Sequence, residues 1–379
     1  MTSELFDPIL GTTAVAAATD DRAWLAALCE VETALARACA RAGLVDLPTA
    51  LEIGAAAEQI SRSDPADLGR AAVAGGNPVI PLVDRLRAAV AARGGDPAAV
   101  HLGATSQDVL DTASMLIAHR ALGVILADIA ECSGAAARLA RAHRDTPMAG
   151  RTLLQRARPT TFGALTAVWG SAIDRAGEAL SAVRSSLAVQ LGGPAGTLAG
   201  LHPHGFDVTA ALADELGLAV PDGVWHTDRT RVAQLAGALG TAAVAIGKPA
   251  TDVVLLAQTE LGEVHELTPG GSSSMPHKQN PIAAITARAA AAQAPGLVAT
   301  RLAAGAHELQ RAAGPWHAEW PALAALLRAV GGAASRLSTC LSGLRVDTEA
   351  MARNLAGLDA ADLGHAGDIV DRYLAGRTP

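Results

Sequence analysis

Gly270-Gly271-Ser272-Ser273-Ser274-Met275-Pro276-His277-Lys278-Gln279-Asn280-Pro281 separates two apolar stretches of helical pattern, Val253 to Leu261 and Ile282 to Ala294. Two glycines free the backbone at its front, while Pro276 and Pro281 fix φ behind it and exclude helix. The segment reads as a polar loop, mobile at its start, set into a buried helical architecture. Loops carried on rigid scaffolds are where binding and catalytic groups concentrate.

Composition supports the helical reading. Of 379 residues, 50% are hydrophobic but only 2% aromatic, so the core must be built from Ala, Leu and Val. Alanine has the highest helix propensity, and small side chains let helices approach closely. Mean hydropathy is +0.27. No apolar run is expected to reach a membrane span of about 18 residues without charge or Pro/Gly interruption. Surplus apolar surface is therefore expected to meet other subunits. Formal net charge is −7, which argues against nucleic acid. Cys29, Cys39, Cys132 and Cys340 lack metal-ligand spacing and read as small buried residues in a reducing compartment. With no export signal visible, the expected location is cytoplasmic.

Residues 1–20 read as an irregular lead-in. Helices are expected over Asp21–Gly43, Pro48–Ser61 and Asn77–Arg93, with Asp64-Pro65 as punctuation. Thr105-x-x-Asp108 has capping-box spacing ahead of an apolar helix running to about Arg144. The same helix end offers free N–H groups to an anion, with Thr105, Ser106 and Gln107 adding donors and His101 just upstream. Arg151, Gln155, Arg156 and Arg158 cluster before a helix expected to start near Pro159, and arginine suits carboxylate recognition. Further helices are expected over Asp207–Gly217, Asp228–Val264 with a kink at Pro249, Pro281–Ala306 with a bend near Pro295, Pro321–Gly343 and Asp347–Leu355. Lys248 is left between site group and surface pair, and Trp316, His317 and Trp320 read as packing.

Gly271-Ser272-Ser273-x-Met275-Pro276-x-Lys278-x-Asn280-Pro281 resembles the signature loop of the aspartase/fumarase superfamily, whose members eliminate across or add to a bond next to a carboxylate. His101-x-Gly103-Ala104-Thr105-Ser106-Gln107-Asp108 resembles the 3-carboxy-cis,cis-muconate cycloisomerase branch. Leu153 stands where many lyase members carry a histidine that protonates the leaving group, which argues against an amine-releasing lyase.

The resemblance, covering most of residues 5–355, implies an all-α, long-helix subunit in a homotetramer whose central helical bundle shares its active sites between subunits. It divides the chain into an N-terminal helical domain (1–103), a central bundle (104–345) and a shortened C-terminal domain (346–379), as if an internal piece of the last were missing. It implies Ser272 and His101 as catalytic groups, and Thr105, Ser106, Gln107, Arg151, Gln155, Lys278 and Asn280 as contacts for a small tricarboxylate. No metal or cofactor is implied. The expected activity is interconversion of 3-carboxy-cis,cis-muconate and its lactone. The alternatives are a fumarate-releasing lyase acting on a substituted succinate and a non-catalytic helical scaffold.

Overall fold

Capping side chains fix where the N-terminal helices begin. In the computed structural model, which describes residues 5–11, 13–359 and 361–377, a short helix α1 (Thr13–Ala17) follows a single 3-10 turn at Asp7–Leu10. The lead-in is therefore ordered where it is described; residues 1–4 and 12 lie outside the described residues. Asp20 accepts from Ala23 N at 2.8 Å to open α2 (Asp21–Arg41), and Gly43, with φ of 74°, closes it. Asp46 opens α3 (Leu47–Ser61) in the same way. Asp64-Pro65, expected only to punctuate, starts a further helix, α4 (Pro65–Ala72): aspartate caps and proline sits at the first helical position. Then comes α5 (Val79–Ala92).

The frame is α6 (Ser106–Ala142), a 37-residue helix. At about 1.5 Å per residue it spans roughly 55 Å. Beyond its C-terminus the expected order of elements needs one correction. Residues expected to lead into a helix near Pro159 form an antiparallel ribbon, β1 (Pro147–Thr152) with β2 (Gln155–Thr161). Thr152 pairs directly with Gln155, so Leu153 and Leu154 are the whole turn, at φ of 52° and 64°. Helix α7 (Phe162–Ser186) starts only after Thr161, whose hydroxyl caps Ala164 N at 3.0 Å.

After α8 (Gly205–Leu216), α9 (Thr230–Leu256) contains Pro249 but stops short of the expected Val264. A turn at Gly262, with φ of 58°, redirects the chain into β3 (Val264–Glu266). Helices α10 (Ile282–Ala291) and α11 (Ala294–Ala303) flank the expected bend. Helix α12 (Pro315–Ser342) begins six residues before the expected Pro321, because Pro315 takes the first-turn place and Pro321 is tolerated inside. Strand β4 (Leu344–Val346) pairs antiparallel with β3, and α13 (Thr348–Asn354) and α14 (Ala366–Leu374) follow.

Side-chain contacts give the bundle its polarity. Helix α9 starts where Arg229 pairs with Asp111 of α6, and ends where Asp252 accepts from Trp169 Nε1 near the start of α7. Helix α12 starts with Trp316 on Asp111 and ends at the β3–β4 ribbon. The near end therefore holds the start of α6. The far end holds both ribbons and the loop between β3 and α10. Lys248 pairs with Asp252 and is an ordinary helix pair.

By length and composition alone α6, α9 and the stretch Ile282–Ala303 are each apolar enough to cross a bilayer, although each carries the charge or Pro/Gly interruptions expected from the sequence. Between 39% and 56% of each apolar window is buried within the chain. Apolar side chains such as Val168, Val244, Ile285 and Leu302 are left exposed on the central helices of the single chain.

Candidate active site

At the near end the capping box is present. Asp108 Oδ2 accepts from Thr105 N at 2.9 Å and from Gly193 N at 2.9 Å, while Oδ1 lies 2.6 Å from His226 Nε2. One buried carboxylate thus ties the start of α6 to the glycine loop at 192–197 and to the chain entering α9. Glycine is required here. A Cβ on Gly103, whose φ is 70°, would meet Leu201 Cγ at 2.4 Å, and one on Gly193 would meet Gly103 O at 2.9 Å.

One turn further, Asp111 accepts from Arg229 at 2.8 and 3.1 Å, from Trp316 Nε1 at 3.0 Å and from Gln107 Nε2 at 3.1 Å. Arg229 also forks onto Glu319 at 2.6 and 3.0 Å, and His307 Nε2 lies 3.1 Å from the same carboxylate. Burial alone would raise the Glu319 carboxyl, but hydrogen bonds from His307 and Arg229 and the neighbouring arginine charges bring it down to about 2. A buried charge pair needs this degree of satisfaction to be tolerated.

This network is the floor under the residues expected to bind an anion. Gln107 is fully buried; its Nε2 also donates to His226 O at 2.7 Å, and its Oε1 has no partner. Thr105 and Ser106 sit half-buried at the rim. The Thr105 hydroxyl accepts from Arg311 Nη1 at 3.0 Å, and Arg311 Nη2 is buried without a partner. Among the described residues Arg311 has no carboxylate partner, so a guanidinium with spare donors faces a helix N-terminus. Sequence reading passed over Arg311, Arg229, Glu319 and His226. The basic character of Arg311 was visible, but nothing in its local pattern pointed to Thr105, 206 positions away.

His101 is in the left-handed region, with φ of 62°, and its Nδ1 lies 2.7 Å from Oε1 of Glu32 on α2. Burial disfavours the imidazolium, yet the Glu32 and Asp108 carboxylates outweigh it, and His101 titrates above its ordinary value.

At the far end the expected flap is closed at its base. Gly270 and Asn280 exchange backbone hydrogen bonds at 2.9 Å, and Glu266 accepts from Ala283 N and Ala284 N to cap α10. Asn280 Nδ2 donates to Gly271 O at 3.1 Å, so its amide holds the loop stem. Ser272 Oγ accepts from Met275 N at 3.1 Å and from Ser274 N at 3.4 Å. Lys278 is exposed and has no carboxylate partner among the described residues. The Arg151 fork is taken by the buried Glu263 at 2.7 and 3.0 Å, which ties the β1–β2 ribbon to the base of the flap. Gln155 is exposed beside the ribbon tip, where the Leu153 side chain is 96% exposed.

The structure therefore brings His101, Thr105, Ser106 and Gln107 together at one end, and Ser272, Lys278, Asn280, Arg151 and Gln155 at the other. Within one chain the two groups are separated by roughly the length of α6, about 55 Å.

Residues 7–296 match the family described as lyase. The chain is 45% identical over its full length to nitrosuccinate lyase of Streptomyces davaonensis, covering 81% of that protein. It is 44% identical to 3-carboxy-cis,cis-muconate cycloisomerase of Pseudomonas aeruginosa, over 99% of this chain and 83% of that one. Among solved structures, the 3-carboxy-cis,cis-muconate lactonizing enzyme of Pseudomonas putida superposes with a TM-score of 0.87 at 40% identity, over 93% of this chain and 79% of that one. A fumarate lyase from Mesorhizobium sp. BNC1 gives 0.87 at 31% identity, over 97% of this chain and 99% of that one.

Proposed function

From the premise that the chain belongs to the lyase family, we propose that it is a cycloisomerase interconverting 3-carboxy-cis,cis-muconate and its carboxymuconolactone, working as a homotetramer with shared sites. In lactonisation a carboxylate oxygen of the substrate bonds to an olefinic carbon. The π pair moves to the adjacent carbon, where it is delocalised into a second carboxylate as an aci-carboxylate. That carbon then takes a proton from Ser272, and His101 returns one from solvent to the serine oxygen. One carboxylate becomes an ester, so each turnover consumes one proton.

The difficult feature is charge accumulating beside an existing carboxylate, which preorganised donors stabilise. Arg311, Thr105, Ser106 and the free amides of α6 form the near-end receptor; Lys278 and Gln155 complete it from the far end of another protomer. Ser272 is a poor acid–base group in water. Two amide donors on its oxygen favour the alkoxide, and Lys278 in the same loop adds charge when the flap closes. Gln107, Asn280 and Arg151 serve by holding the receptor floor and the flap stem. The shared site accounts for the apolar surface left on the central helices, which in antiparallel packing would bring one chain's far end to another's near end.

The observation that carries the reading is the cluster of spare donors around Arg311 at the N-terminus of α6, built on a buried network and lying a helix length from the serine flap. A second reading has its own support in the nitrosuccinate lyase relative: removal of nitrite from a substituted succinate to give fumarate. Nitrite leaves as a stable anion, so a leucine at position 153 suits that chemistry as well as lactonisation. The two are tested side by side. Purified protein is expected to bleach the conjugated diene of 3-carboxymuconate, and Ser272→Ala to lose this while staying folded. Unchanged diene absorbance together with fumarate and nitrite appearing from nitrosuccinate would establish the second reading instead.

A further inference from the structure

We propose that Glu32 is the positioning residue for His101, holding the ring by Nδ1 so that Nε2 is the nitrogen turned to the receptor. The inference rests on the reading that His101 moves protons in the site, and it deepens that reading. Glu32 belongs to α2 of the N-terminal region and has a fully buried carboxylate. A carboxylate taken out of water needs a partner. Among the described residues Glu32 has one, His101 Nδ1 at 2.7 Å, and Oε2 is left without any.

His101 meets Glu32 from a strained position. Its φ of 62° is costly for any residue with a Cβ, and only firm anchoring keeps it there. The ring itself is 12% exposed, and its Nδ1 edge is closed against Glu32; His101 stands two residues ahead of Gly103 and four ahead of Thr105. The charged groups acting on the ring are Glu32 from α2, Asp108 from α6 and Arg87 from α5. The two carboxylates favour the imidazolium and the arginine opposes it. A carboxylate on one ring nitrogen fixes the tautomer and the orientation of the other. The sealed Nδ1–H thus leaves Nε2 to exchange the proton that Ser272 delivers to carbon.

The test uses Glu32→Gln, which keeps the shape and an acceptor but removes the charge, and Glu32→Asp, which keeps the charge on a shorter arm. Exchange of the histidine C2 hydrogen, followed by mass spectrometry on the intact assembly without substrate, reads the titration of His101 directly. The wild-type midpoint is expected above 6.5 and that of Glu32→Gln below the wild type. In lactonisation the imidazolium is the working form, so the alkaline limb of the rate profile moves to lower pH in Glu32→Gln. Its kcat falls about 10- to 100-fold with KM nearly unchanged. Glu32→Asp recovers part of both. A His101 midpoint that is the same in wild type and Glu32→Gln overturns the proposal, as does a shifted midpoint with kcat and rate profile unchanged. If the wild type is inert toward carboxymuconate, the proposed reaction fails, and the substrate-free midpoint still decides the role of Glu32.

Discussion

Arg311→Met removes the uncompensated charge of the receptor while keeping most of the apolar stem. Among the described residues the Arg311 side chain gives one hydrogen bond, from Nη1 to the Thr105 hydroxyl, and keeps Nη2 buried and unused. A charge-assisted hydrogen bond to a substrate carboxylate contributes about 1.5–3 kcal/mol, so kcat/KM for carboxymuconate is expected to fall roughly 10- to 150-fold. Stability should respond differently. Arg311 has no carboxylate to leave stranded, so the fold loses a single bond to a neutral group, about 1 kcal/mol or less. Arg229→Met is the contrasting control: it strands Asp111 and Glu319 in the interior and should destabilise by about 3–5 kcal/mol. The assay pairs initial rates over a range of ionic strength with thermal unfolding of both variants. An Arg311→Met protein with wild-type kcat/KM, or one that unfolds as readily as Arg229→Met, would contradict the assignment of Arg311 to an anion receptor.

The split between near and far ends predicts complementation. Thr105→Ala and Ser272→Ala, each inactive alone, should regain about a quarter of wild-type activity when their subunits are mixed and re-equilibrated at equal amounts, since half the near ends and half the far ends are intact. No recovery from demonstrably mixed oligomers would show that each chain supplies its own complete site. A further expectation concerns acid. The Glu319 carboxyl lies below its ordinary value of 4.5, at about 2, so its stabilising contribution is complete above 4.5 and is lost as pH falls toward 2. Acid titration of stability should therefore be less steep below pH 4.5 in Glu319→Gln, and an unchanged slope would remove Glu319 from the acid-sensitive network.

How much of this could be read beforehand depends on how local each signal was. Asp20 and Gly43 bound α2 by rules that operate within one turn, whereas Gly270, expected to free the front of the loop, exchanges backbone hydrogen bonds with Asn280 and closes its base. The β1–β2 ribbon was missed for an equally local reason. A two-residue turn with both φ positive ordinarily announces itself by Asn-Gly or Asp-Gly, and here Leu153-Leu154 occupies it. The start of α12 was misjudged because Pro321 looked like a boundary when Pro315 already supplied one. Arg311, Glu32 and His226 belong to another class. Their partners lie 206, 69 and 118 positions away, and neither hydrophobic period nor capping chemistry carries information about such pairs.

The same physics explains why the candidate site is divided. A core made of alanine, leucine and valine has little interior room for unpartnered donors, and the buried ones at the near end, such as Arg229 between Asp111 and Glu319, are spent on one another. Free amides, glycine turns and unpaired polar side chains occur where helices end. In a bundle framed by a 37-residue helix those ends lie about 55 Å apart. A chain that places an anion receptor at one end and a hydroxyl-bearing flap at the other cannot bring them together by bending, because α6 is buried along most of its length among its neighbours. Under the proposed shared site, antiparallel association of copies would unite them and would cover the apolar faces that the lone chain leaves exposed. The proposal then makes catalysis depend on assembly: a charge introduced at Val244, on the exposed face of α9 and outside both residue clusters, is expected to abolish turnover by separating the two halves of the site, and a variant that sediments as a monomer yet keeps wild-type rates would refute it.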